Sequence, residues 1–319
     1  MNGGVLCSGS IIYDTLVHPA EQAPWGTTTL VDTIEPHPGG NGSNTSLALA
    51  KIGAPVRLLG AVGNDSQGLF LLDALCRAGV DTSAVQVLPG PTAATIALVN
   101  GVGDRRFLHR MGVSADAFPE PLDFVPALTA GMAHYHLASL FILPRFRTHA
   151  VETLARARAA GLTTSLDTNW DPAGRWMADI GPCLPHLDIV FLNEDEARMV
   201  TGHAEPRPAA EILLRAGARA AVLKLGARGS AVYTADREIL APAFRVPVKD
   251  TTGAGDCFVG GFLTARLRGA SWDEAARFAN ALGAICVEHV GGAAGLKDSL
   301  NLQAWIQDQA SRLTGSKRE

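Results

Sequence analysis

Residues 249–263 read KDTTGAGDCFVGGFL. After Gly253-Ala254-Gly255 the apolar residues Cys257, Phe258, Val259, Phe262 and Leu263 follow at helical spacing, so a helix opens at the glycines. The first N–H groups of a helix have no partner inside it, and the helix dipole adds to their positive potential. A start made of Gly, Ala and Gly leaves those groups unobstructed, which makes an anion site. Asp256 falls in the first turn, facing whatever that site holds. A carboxylate beside an anion hole suits transfer of a negatively charged group onto a hydroxyl, with Asp256 accepting the proton. The helix start also favours the ionised form of Asp256, which makes it a weak base. In a loose phosphoryl-transfer transition state the proton leaves late, and a weak but well-placed base suffices. The plainer reading is that Asp256 only complements the dipole and Asp250 only shapes a turn.

A second glycine-rich loop lies far upstream. Residues 36–44 read PHPGGNGSN, ahead of a helix expected to begin near Ser43. Paired glycines permit unusual dihedrals and let backbone approach a ligand closely, and the Asn44 amide sits where it could hold a hydroxyl. No Gly-Lys-Ser/Thr follows, and Thr45 stands three residues after Gly42, so both the P-loop and the dinucleotide fingerprint fail. The alternative is a strand-to-helix turn with Ser43 as N-cap.

Between and around the loops, short β-branched runs alternate with helical patterns. Strands are expected at 5–12, 56–62, 132–137, 163–166, 189–192 and 221–225, and helices at 43–52, 67–78, 147–160, 209–216, 255–268, 272–287 and 302–313. Such alternation implies a parallel sheet with helices on both faces. Two segments, 27–34 and 92–100, the latter followed by a Gly-Val-Gly-Asp turn and 105–110, read instead as hairpin strands that could form a flap. At 319 residues the chain has room for two domains or one large α/β domain.

Composition excludes several classes. Lys and Arg number 27 against 31 Asp and Glu, a net charge of −4, so no broad basic field is available for nucleic acid or an anionic membrane. The five cysteines form no Cys-x-x-Cys pair and the histidines no zinc-ligand spacing, as expected of reduced thiols in the cytoplasm. No apolar run reaches the ~20 residues of a membrane span.

Taken together, GGNGSN…LALAKIGAPVRLLGAVGNDSQG and DTTGAGDCFVGGFL resemble the N- and C-terminal signatures of the ribokinase-like, or PfkB, carbohydrate kinase family, in the family's order. The resemblance covers nearly the whole chain. It implies a ribokinase-like three-layer αβα fold with a mainly parallel central sheet and a small β-sheet lid. Residues 1–319 would form a single domain, with lid strands inserted at about 12–36 and 92–112. It also implies transfer of the ATP γ-phosphate to a hydroxyl of a small carbohydrate.

By position, the resemblance makes Asp256 the catalytic base and the backbone of Gly253, Ala254 and Gly255 the anion hole. Asp14, Gly39, Gly40, Asn44 and Asn169 would contact the sugar, with Arg106 on the expected lid a further candidate from its charge; Asn193, Lys224, Gly226, Gly229 and Asn280 would contact the nucleotide. Glu196 would reach Mg²⁺ through water, although Asn193 and Glu196 also read as a capping box. Asp250 and Thr252, with backbone of Cys286, His289, Gly291 and Gly295, match a monovalent-cation site, so K⁺ is an expected activator.

Departures bear on the acceptor. Ala138 stands where ribokinases place Glu, which argues against ribose, and Asp171 stands where fructokinase relatives place Arg, with Arg175 a candidate substitute. Arg105, Arg106 and His109 would suit an acidic or phosphorylated sugar, or else form a solvated strand face. A nucleoside kinase of the same fold is the nearest alternative, followed by a non-catalytic sugar-binding relative. Partners are expected to be a small-molecule sugar and a second copy, in a homodimer through the lid.

Overall fold

Strands covered on both faces have to be apolar along their length, and those at the centre of this chain are. The computed structural model describes residues 3–20, 25–100, 105–297 and 300–315. The expected 101–104 turn and the tail from 316 lie outside the described residues. In chain order the strands are β1 (Gly4–Ser8), β2 (Ile12–His18), β3 (Thr33–Gly39), β4 (Val56–Gly63), β5 (Val85–Leu88), β6 (Ala94–Val99) and β7 (Arg105–Arg110). They continue as β8 (Met132–Leu137), β9 (Thr163–Asp167), β10 (Ile189–Asn193), β11 (Ala220–Lys224), β12 (Ser230–Thr234) and β13 (Glu238–Ala241).

Nine of them form one sheet in the order β13-β12-β11-β10-β9-β8-β1-β4-β5. All pairings from β11 to β5 are parallel, while β12 is antiparallel to both its neighbours. Alternate side chains enter two separate cores. Phe191 and Val222 pack with Leu47, Phe258, Phe262 and Leu282 on one face, from the helices Asn41–Lys51, Ala254–Leu267 and Trp272–Val287. Val190, Leu192 and Leu223 pack with Phe146, Leu154, Val200 and Leu213 on the other, from Pro144–Ala159, Glu194–Thr201 and Pro206–Arg215. Each such side chain contributes about 1.5–3 kcal/mol on burial. The three-layer αβα arrangement is therefore as expected.

This topology places a crevice. From β1 the chain moves to β4 and β5 on one side, while β8 to β11 build the other side, so strand order reverses between β1 and β8. Open α/β sheets bind ligands beyond the carboxyl ends of strands at such a point. There Ser10, just after β1, bonds Ser139, just after β8, through Oγ to Oγ at 3.1 Å.

The strand expected at 5–12 is two strands. It breaks at Gly9-Ser10-Ile11, where Gly42 of the glycine loop presses on Gly9 so closely that a Cβ there would lie 2.8 Å from the Gly42 Cα. Beyond the break, β2 enters a second, four-stranded sheet of order β3-β2-β6-β7. The strand expected at 27–34 is displaced to β3, Thr33–Gly39, despite Pro36 and Pro38. An edge strand accommodates prolines because alternate N–H groups need no ladder partner, and β3 is the edge. β6 and β7 fall at the expected places. The helix expected from Ser43 begins at Asn41, with Gly40 as N-cap at φ 86°. Among the described residues no helix is long and apolar enough to cross a membrane.

Candidate active site

A cavity of about 1310 Å³ lies between the carboxyl ends of the large sheet and the inner face of the small one. Its floor is the start of the Ala254–Leu267 helix. Gly253 caps it at φ 71° with no side-chain cap bond, and a Cβ there would crowd Gly292, Ala293 and the Asn44 amide at 3.2–3.4 Å. The first intrahelical bond runs from the Cys257 N–H to the Gly253 carbonyl (2.8 Å), and the Ala254 N–H turns back to Thr251 at 3.3 Å. The helix is fixed to the sheet by Phe262, whose ring meets that of Phe191 on β10 edge-on at 5.4 Å.

Asp256 is buried in the first turn of that helix. Asn41 donates to its Oδ1 at 2.9 Å and Asn44 to its Oδ2 at 3.0 Å. Burial, with a further push from Asp167, raises this carboxyl to about 7, against the opposing pull of Asn44, Lys224 and Asn41. The helix-end argument, which made Asp256 a weak base, is thus outweighed by desolvation. Asn169, at φ 66°, donates to Asn41 Oδ1 at 2.6 Å, and its own Oδ1 is buried without a hydrogen-bond partner among the described residues. Asn169–Asn41–Asp256 is therefore a hydrogen-bonded row ending in the carboxylate.

Asp14 enters the cavity from β2 directly over Gly39, where any Cβ would lie 1.9 Å from Asp14 Oδ2. Gly40 is equally confined, its Cβ position 2.6 Å from the Ser10 carbonyl. These two glycines are needed to let the loop pass under the Asp14 carboxyl, which burial raises to about 6. On β7, strand alternation turns Arg105, Phe107 and His109 to the cavity and leaves Arg106 exposed on the other face. Arg106 is therefore off the expected sugar site, and Arg105 is on it.

The arginines at the cavity are all paired. Arg105 meets Asp250; Arg147 grips Asp171 through Nη1 and Nη2 at 2.7 and 2.9 Å and also meets Asp179; Arg175 meets Asp179 at 2.7 Å. Asp171 further accepts the N–H groups of Ala173, Arg175 and Trp176. It thus shapes the loop, and Arg175 is engaged with Asp179 rather than standing in for the arginine expected at 171. Burial holds His109 below the usual imidazole range. Phe107, Met111, Phe141, Ile142, Trp170 and Pro172 give the far wall an apolar surface.

Behind the helix start, Lys224 at the end of β11 bonds Asp167 at the end of β9 (2.5 Å) and lies 3.3 Å from the Cβ position of Gly255. Burial opposes its charge, but Asp167 and Glu196 outweigh this and push the ammonium to about 12. Asn193 and Glu196 form a reciprocal capping box, both bonds 2.8 Å, with Glu196 buried and raised by that burial. Gly226 has open space at its Cβ position. Gly229 (φ 99°) is packed against the 241–243 backbone, with a Cβ position 2.1 Å from the Ala241 carbonyl. Asn280 is buried and donates to the carbonyls of Ala241 and Pro242. Gly229 and Asn280 thus meet the same turn, and what the structure gives them is a packing role.

Of the expected cation ligands, Asp250 is buried and saturated with donors: Thr252 N at 2.6 Å, Gly291 N at 3.0 Å and the Arg105 guanidinium. The Cys286 thiol donates to the Thr252 carbonyl at 3.5 Å and His289 Nδ1 meets Ile285 O at 2.9 Å. Gly295 is confined by Val290 and His289, with contacts to its Cβ position at 2.8 and 2.9 Å. Among the described residues no three His, Cys, Asp or Glu side chains converge to hold a metal by themselves.

Asn41 was not singled out from the sequence, although it lies three residues before Asn44 and hence on the same helical face. That spacing was the available signal.

Residues 3–299 match the profile of the pfkB family carbohydrate kinases. The chain is 30% identical over 277 residues to the aminoimidazole riboside kinase of Salmonella typhimurium, covering 83% of this chain and 86% of that one. It is 31% identical over 270 residues to a fructokinase of Rhizobium leguminosarum bv. trifolii, covering 81% and 78%. In fold it resembles the ribokinase of Arabidopsis thaliana solved with ribose and ATP, at a TM-score of 0.85 and 24% identity, over 96% of this chain and 99% of that one. The large parallel sheet is thus that of the ribokinase fold, and the chain belongs to the pfkB family of sugar and nucleoside kinases, phosphotransferases whose acceptor is an alcohol group.

Proposed function

We propose that the protein transfers the γ-phosphate of ATP to a hydroxyl of a small, uncharged carbohydrate, with Asp256 as general base. The observation that carries this reading is the Asp256 carboxylate, held by two amides at the open start of a helix and facing a large cavity. The acceptor hydroxyl, placed by Asp14 and Asn169, gives its proton to Asp256 as its oxygen bonds the γ-phosphorus and the bond to the β-phosphate oxygen breaks. The products are ADP and a phosphate ester. The N–H groups of Gly253 and Gly255 supply the anion hole; that of Ala254 contributes least because it already meets Thr251. Lys224, fully charged beside Gly255, steadies the phosphates.

A buried carboxylate at Glu196, close enough to Lys224 and Asp167 for their charges to act on it, suits Mg²⁺ carried on a nucleotide rather than caged by protein. When bound, Mg²⁺ would offset the charge of the β- and γ-phosphates, with Glu196 reached through water. Five unpaired cysteines, four of them buried, accord with a cytoplasmic setting.

An uncharged acceptor is favoured because Arg105, Arg147 and Arg175 are already neutralised by Asp250, Asp171 and Asp179. A second reading, a riboside bearing a flat base, is favoured by the apolar wall of Phe107, Phe141 and Trp170 and by a cavity larger than a bare sugar fills. ADP release from Mg-ATP should be screened over neutral sugars, ribonucleosides, sugar acids and sugar phosphates. Turnover on one of the first two classes is expected. Exclusive turnover on acids or phosphates would overturn the uncharged acceptor, and none on any class would overturn the kinase reading.

A further inference from the structure

Asp250 joins three pieces of the molecule that are far apart in sequence. Its Oδ1 accepts the Thr252 N–H of the loop leading into the Asp256 helix, its Oδ2 accepts the Gly291 N–H of the loop that touches Gly253, and Arg105 reaches it from β7 of the small sheet. Asp250 is 2% exposed, and the Arg105 side chain 16%. Burial works against the charge on Asp250, but the N–H groups of Gly291 and Thr252, the Thr252 hydroxyl and the guanidinium together hold it below the usual carboxylate range. It is therefore an anion whose countercharge the protein itself provides. A monovalent cation seated on this carboxylate would have to displace a guanidinium that makes a charge-assisted bond in a buried setting. The donor set at Asp250 does not fit such an ion.

We infer that Arg105 is a positioning residue that supplies the positive charge at Asp250, so that the loop carrying the anion hole is set without a bound monovalent cation. Because Arg105 belongs to the small sheet, that loop is set only while the small sheet covers the cavity. The inference rests on the phosphoryl-transfer reading for its kinetic arm alone.

The test compares wild type with Arg105→Met and Arg105→Lys, in buffers whose only monovalent cation is K⁺, Na⁺ or tetramethylammonium. Thermal unfolding of each is followed alongside ADP release. Wild type should show the same Tm and the same kcat in all three buffers. Arg105→Met should lose about 10²-fold in kcat, as expected for a misplaced reacting group. Part of that loss should return in K⁺ or Na⁺, with a matching rise in Tm. Arg105→Lys should keep cation-independence. Several-fold activation or thermal stabilisation of wild type by K⁺ would overturn the inference, as would a Met variant with unaltered kcat in tetramethylammonium buffer. If no acceptor is turned over, the kinase reading fails while the Tm comparison still decides the cation question.

Discussion

A carboxyl group that is buried, held by two amide hydrogen bonds and raised toward neutrality is a sensitive reporter of its site. The pKa of Asp256 stands at about 7 because desolvation exceeds the combined pull of Asn44, Lys224 and Asn41. Only the ionised form can take a proton, so kcat/KM should rise with pH to near 7 and level off above it. Asn41→Ala removes one donor that stabilises the ionised form. The acid limb should then move to higher pH, and a limb unchanged in a pH–rate profile would remove Asn41 from the site. Linkage gives the stability sign: the folded chain holds this proton above the unfolded value of 3.8, so the group's stabilising contribution is full below about 4 and is lost as pH rises through about 7. Asp14, inside a strand, is reached only through the family resemblance, whereas Asp256 and Asn44 were legible in the sequence because glycine-rich loops at helix starts mark them. Arg105 against Arg106 was not: which residues of a strand face a cavity depends on a register fixed by β6 pairing, and a one-residue slip reverses the choice.

At the scale of elements, the alternating runs gave most of the large sheet, since buried parallel strands are apolar throughout and their helices follow a 3.6-residue period. The errors came where chain geometry overrode composition. The run from 5 to 12 is read as one strand although Ser8-Gly9-Ser10 carries a turn signal at the break, and β3 is masked by two prolines that only an edge strand accommodates. The resemblance puts Asn280 at the nucleotide; in the structure it is buried and its amide donates to the carbonyls at the end of β13. Asn280→Ala should therefore cost about 1–3 kcal/mol through unmet carbonyls at Ala241 and Pro242. That would appear as a lower Tm with the KM for ATP unmoved. A raised KM at unchanged Tm would restore the nucleotide role.

For the whole molecule, the small sheet has an inner face that closes the cavity and an outer face that carries an apolar patch beside Arg106. Ile34, Ile96 and Leu108 lie on the outer face at 64%, 42% and 56% exposure, with Val17 and Leu98 beside them in register. Contiguous exposed apolar surface of this kind marks an interface, and a second copy of the chain is the proposed occupant. Light scattering should give a dimer mass that falls to monomer in Ile96→Lys/Leu108→Lys; a wild-type monomer would refute the pairing. Without the small sheet, Asp14, Arg105 and Phe107 would leave the site, so fold and chemistry meet in one place: a carboxylate at a helix start, roofed by a second sheet. The most direct measurement is ADP release by Asp256→Ala at saturating Mg-ATP and acceptor, with acceptor binding followed by calorimetry. Phosphoryl transfer should fall by about 10²–10⁴-fold while acceptor affinity stays within a few-fold. Turnover within tenfold of wild type would contradict the role given to Asp256.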